Sequence, residues 1–192
     1  MKTDNLIQQL IDQTFKILDH VEKLKSFDLE TLTWRADMSS WNILECIEHL
    51  NRYADYYLPA IKRAIGNSCS TAETEFKSGL WGSYFAQIML PKKKMFKMKT
   101  FKSKNPIHLE LNTEVIHKFI EQQNELINLL MQSRYVSLNK IKIKTSISAL
   151  LRFKLGDTYQ FYINHILRHL TQIENILCHY QTAHLRIVNS AP

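Results

Sequence analysis

The chain predicts an all-α fold, a four-helix bundle with one long crossover connection, and three observations carry that expectation. Glycine and proline are scarce, four of each in 192 residues, so sharp turns are few and long helices are favoured over many short strands. Four segments repeat apolar side chains at three- and four-residue steps, the period of an amphipathic helix. Between the second and third of these, residues 68–112 lose the pattern, and a connection of that length implies a crossover, a lid or a mobile loop. The length suits one domain over residues 1–192 with a Lys-rich loop at about 91–106.

The elements follow in order. Leu6, Leu10, Ile11, Phe15, Leu18 and Val21 give a first helix from about Asn5 to Leu24. Ser39 or Ser40 can cap the second, from Trp41 to about Ile65, where Gly66 and Asn67 stop it. Its apolar stripe includes Ile43, Leu44, Ile47, Leu50, Leu58 and Ile61, while His49 lies on the other side with Glu45, Cys46, Arg52, Tyr53 and Tyr56. That face is too aromatic for one that ought to meet water, and it is read as lining a pocket. A short helix is expected within Gly79 to Leu90, and partial disorder near Lys92 to Lys104.

Thr113 can cap the third long helix, which ends near Arg134, and the last covers Asp157 to about Tyr180, after a shorter turn through Ser148 to Phe153. Lys140 to Lys144 alternates like a strand but is short and alone, so it is read as an extended connector.

The formal net charge is +7. Lys92, Lys93, Lys94, Lys97, Lys99, Lys102 and Lys104 stand in a stretch free of acid, and the remaining basic residues equal the acidic ones in number, so the charge is assigned to that loop. A solvated loop is the favoured reading there; nucleic-acid or membrane contact through it is not expected, since such binding needs a rigid scaffold. Cys46, Cys69 and Cys178 are odd in number and widely spaced, which fits a reducing compartment. The first residues lack a continuous apolar core and a cleavage site, and no run approaches a membrane span, so a cytoplasmic location is expected.

The chemistry-bearing residues are histidines. His165 and His169 are four apart on the last helix, stacked on one face at the edge of its apolar stripe, and Gln172 continues that edge. Two imidazoles so placed can reach one divalent ion, and a third from another helix, His49, would complete a three-nitrogen site with open positions. Taken alone, the pair is equally a surface or satisfied core feature; His20, His108, His117, His179 and His184 show no such clustering.

The run Thr33-Trp34-Arg35-Ala36-Asp37-Met38-Ser39-Ser40-Trp41 through His49-Leu50 resembles the signature of the DinB/YfiT-like superfamily of metal-binding four-helix proteins. The tail from Leu155-Gly156-Asp157 to His165-x-x-x-His169-x-x-Gln172 is similar to that family's last helix, with His169-Leu170-Thr171-Gln172 where the family usually has His-Arg-Gly-Gln.

The resemblance implies a divalent ion, nickel or zinc before manganese or iron, on His49, His165 and His169. It also implies a thiol S-transferase or related transferase or hydrolase, with a low-molecular-weight thiol such as bacillithiol or mycothiol as co-substrate, a small-molecule substrate and a homodimer. Glu45, one turn before His49, is the candidate base if it faces the site, although an exposed glutamate is the bland alternative. Cys46, Tyr53, Tyr56, Tyr162 and Trp41 are read as packing before function. The competing class is a non-catalytic helical bundle that binds partners on the same scaffold.

Overall fold

The computed structural model describes residues 1–91, 100–148 and 150–190, with side chains as far as Leu185. Among them are six α-helices: α1 (Thr3–Glu22), α2 (Leu29–Thr33), α3 (Ile43–Gly66), α4 (Leu80–Met89), α5 (Glu114–Gln132) and α6 (Leu155–Ser190). Two short strands, β1 (Lys142–Lys144) and β2 (Arg152–Lys154), pair antiparallel. Helices α1 and α3 each lie against both α5 and α6, and Ile7, Ile17, Leu44, Phe119, Leu126 and Ile163 sit in one core that α4 and the strand pair join through Ala86, Met89, Ile143 and Phe153.

Helix α1 buries Ile7, Leu10, Thr14, Ile17 and Val21, and Phe15, expected inside, is 52 % exposed. Successive residues turn by about 100°, so position 15 lies about 120° from the centre of a stripe through residues 7, 10, 14, 17 and 21 and falls outside it. The start of α3 corrects the expected serine cap. Asn42 is the N-cap: its side chain accepts from Glu45 N at 2.8 Å, and Glu45 Oε2 accepts from Asn42 N at 2.9 Å. This reciprocal pair satisfies two amides that a helix start otherwise leaves open. Ser39 and Ser40 instead fold a turn onto Asp37. At α5, Thr113 holds the N-cap position without a side-chain bond, and Asn112 Oδ1 accepts from Glu114 N at 2.9 Å.

Residues 140–144 are not an isolated connector, and the turn expected through Ser148 to Phe153 is shorter than that: Leu151 N donates to the Ser148 carbonyl at 3.1 Å, and Arg152–Lys154 are a strand. Lys142, Ile143 and Lys144 pair with Lys154, Phe153 and Arg152, turning Ile143 and Phe153 inward. Each strand has only three residues, and the hairpin is held through its buried face: Phe153 meets Phe85 of α4 and Phe161 of α6, with ring centroids 5.6 and 5.7 Å apart. Its outer face sets Lys142 beside Lys154 and Lys144 beside Arg152, so positive charge is not confined to the crossover.

Helix α4 is clamped to the start of α6 by the fully buried Asp157 carboxylate, which accepts from Gly79 N at 2.9 Å and from the Ser78 hydroxyl. The approach is close enough that a Cβ on Gly82 would stand 2.4 Å from Asp157 Cγ.

The expectation of disorder across Lys92 to Lys104 falls partly on residues 92–99, outside the described residues. Lys102–Lys104 form a single 3-10 turn that packs on α3. This turn positions the site.

Candidate metal centre

Helix α6 carries His165 and His169 one turn apart, and α3 brings His49 across the gap. His49 Nε2 lies 3.3 Å from His165 Nε2, and His169 Nε2 lies 3.1 Å from the same atom. One ligand atom from each ring falls within 4.8 Å of the other two. His49 and His165 are buried, at 3 % and 5 % exposure, and His169 is half-buried.

Hydrogen bonds on the far side of two rings decide which nitrogens face inward. His49 Nδ1 is 2.7 Å from the Lys104 carbonyl, which can only accept, so the ring donates from Nδ1 and keeps its Nε2 lone pair free. His169 Nδ1 is 2.9 Å from Gln172 Oε1, with the same consequence. At least two lone pairs therefore converge at one point, and a single proton on His165 Nε2 cannot bond well to both. The buried His165 Nδ1 has no hydrogen-bond partner among the described residues.

A cation suits such a donor set. Metal–nitrogen bonds of about 2.0–2.1 Å separate neighbouring ligand atoms by about 2.9 Å in an octahedral arrangement and about 3.4 Å in a tetrahedral one. The separations of 3.1 and 3.3 Å lie between these values. Three protein ligands leave coordination positions open, the pattern of reactive rather than structural sites.

Burial keeps the rings in the ligating form. Desolvation lowers His49 to about 4 from an ordinary 6.5, with the nearby Lys104 and Arg52 charges adding to it against the raising effect of the Lys104 carbonyl bond. Desolvation, then the neighbouring His49, takes His169 down to about 3, and burial first puts His165 well below its usual range. At neutral pH all three are uncharged, so an ion displaces no proton from them.

Aromatic rings wall the cluster. Trp41 stacks on His169 with centroids 5.9 Å apart and tilts against His49 at 4.7 Å, while its Nε1 donates to Asn105 Oδ1 at 3.1 Å. Trp41 thus touches the site as well as the scaffold. Tyr53 packs against His49 and His165 at 4.9 and 4.5 Å, and Phe161 stacks on His165. The Tyr56 hydroxyl turns to the Thr145 carbonyl, and Tyr162 is wholly buried.

Glu45 is not exposed: it is fully buried, and both carboxylate oxygens are engaged. Beyond the cap, Oε1 accepts from Arg35 Nη2 at 3.0 Å and from His108 N at 2.5 Å. Cys46 is also fully buried, and its surroundings push its thiol up. The side of α3 that the sequence assigned to a pocket lining is covered by α6 and by residues 104–108 of the crossover. Lys104, Asn105 and His108 were missed, because their contribution depends on a backbone path that no spacing signals.

Fold and site together define a mostly helical protein with a three-imidazole cluster that could hold a metal ion. The chain belongs to the DinB superfamily, a metal-binding group whose family model matches residues 10–173, a span that includes all three histidines. No curated protein and no solved structure matches it. No helix among the described residues is long and apolar enough to cross a membrane.

Proposed function

We propose that this protein is a metal-dependent small-molecule enzyme of the DinB/YfiT-like type, a four-helix bundle with one long crossover. Its assigned chemistry is thiol S-transfer or a related transfer or hydrolysis, with His49, His165 and His169 as the ligands of nickel or zinc. The observation that carries this reading is the convergence of three uncharged imidazole nitrogens, two of them with tautomers preset by Lys104 and Gln172. Bound there, a divalent ion supplies Lewis acidity, lowering the pKa of a thiol or water so that a nucleophile exists at neutral pH.

The chain's own residues do the rest. The Lys104 carbonyl and the Gln172 side chain hold two rings in orientation, and such outer partners govern both affinity and ligand basicity. Trp41, Tyr53 and Phe161 exclude water from the sides of the cluster and lower the local dielectric, which strengthens charge stabilisation at the open positions. Glu45 is withdrawn from the role of base, because its carboxylate serves Asn42, Arg35 and His108. The co-substrate in this reading is a low-molecular-weight thiol and the active form a homodimer.

Elemental analysis of protein purified without a polyhistidine tag is the first test, with about one nickel or zinc per chain expected. Protein that carries no metal and takes none up, with no difference between wild type and His165→Ala, would overturn the reading. A screen of thiol conjugation to electrophiles, with and without metal, then tests the reaction class, and light scattering tests the dimer.

A further inference from the structure

Residues 102–108 cross α3 as a strap tied at several points. Asn105 Oδ1 accepts from Trp41 Nε1 at 3.1 Å, the Asn105 carbonyl accepts from Arg52 Nη1 at 3.2 Å, and Lys104 Nζ donates to the Arg52 carbonyl. At its end the His108 N–H donates to the buried Glu45 carboxylate, and the His108 Nδ1 faces Arg35 Nη1 at 3.2 Å. His108 has φ 64°, the one positive value for a non-glycine residue among the described residues. A side chain in that region is strained, and it stays there only where surrounding contacts hold it. Here the contacts are Glu45 and Arg35. Four residues back, the same strap delivers the carbonyl that fixes His49.

We propose that Glu45 and His108 form the clasp of this strap and are positioning residues for the three-histidine cluster, holding the Lys104 carbonyl against His49 Nδ1. The inference rests on the proposed metal centre for its consequence and on the hydrogen bonds above for its geometry. Glu45 and His49 are one turn apart on α3, so the clasp and its target share a rigid base. A carboxylate accepting a backbone N–H makes a stronger bond than a neutral acceptor, and burial keeps water from competing for it. With the clasp open, the His49 ring loses its acceptor and its Nε2 no longer aims at His165 and His169.

Two substitutions at one exposed position separate clasp from scaffold. His108→Pro removes the donated N–H and forbids positive φ, while the Asn42–Glu45 cap and the Arg35–Glu45 pair remain. His108→Gly keeps the N–H and relieves the strain. Zinc affinity is measured by competition with a chromophoric chelator, and the His49 tautomer by imidazole nitrogen NMR on metal-free protein. His108→Pro is expected to weaken zinc binding about 10- to 100-fold, the usual loss when an outer partner of a ligand is removed, and to mix the His49 tautomers. His108→Gly should stay near wild type in both.

A folded His108→Pro with wild-type affinity and tautomer overturns the proposal, as does an equal loss in His108→Gly, which would assign the effect to the imidazole. If His108→Pro does not fold, Asn105→Ala cuts the Trp41 tie on the same strap and is held to the same outcomes. Should wild type take up no zinc, the proposed function fails, but the tautomer comparison still decides whether the clasp positions His49.

Discussion

Acidification of the metal-free protein probes the buried imidazoles directly. His49 is held near 4 in the folded chain, chiefly by desolvation, whereas an unfolded histidine titrates near 6.5. Between those values the unfolded chain binds the extra proton, so stability is complete above about 6.5 and falls as pH drops towards 4. At pH 5 the folded ring is still neutral, so the loss is set by the distance from 6.5 to 5, about 2 kcal/mol for this group alone. That value barely moves if the folded pKa shifts by several tenths. The assay is urea unfolding in a chelator at pH 7 and pH 5 for wild type and His49→Gln, which removes the titration and keeps a polar side chain. Wild type should lose about 2 kcal/mol more than the variant over that interval. Equal losses would show that the His49 ring is open to solvent and charges freely, and the description of a dry cluster would be wrong.

Zinc or nickel at about one hundred times its dissociation constant should stabilise the native chain by about 2.7 kcal/mol, a rise in Tm of roughly 5–10 °C that His165→Ala abolishes; differential scanning fluorimetry reads it. Gly82→Ala should cost about 1–3 kcal/mol, because its Cβ would stand 2.4 Å from Asp157 Cγ where α4 meets α6, and a thermal melt followed by circular dichroism measures it. Lys144→Glu faces Arg152 across the hairpin and replaces repulsion by attraction, so chemical denaturation should record a gain of about 0.2–1 kcal/mol, smaller at high salt.

What was legible in the chain is what repeats or sits within one turn. The long helices follow from apolar periodicity, and the His165–His169 pair from a spacing of four that a helix turns into one face. The cap of α3 was legible too: Asn42 and Glu45 stand in the spacing of a reciprocal cap, and two serines just upstream drew the assignment away. Burial of Glu45 is a matter of tertiary cover. Periodicity marks where a glutamate points on its own helix but not whether Arg35 and a distant strap will close over it. The hairpin shows the same limit. Lys142–Lys144 and Arg152–Lys154 are each too short to declare a strand, and only their pairing, with Ile143 and Phe153 turned inward, makes them one.

The acceptor for His49 lies furthest from any sequence signal. Every residue has a backbone carbonyl, so nothing in Lys104 marks it out. Its role comes from Trp41, Arg52 and Glu45 fixing where the crossover runs. The ligands of such a centre are carried by side-chain identity and can be read early, whereas the groups that aim them are carried by the path of the chain. A substitution at His108, which touches none of the three rings directly, is therefore the sharper test of how this site is built.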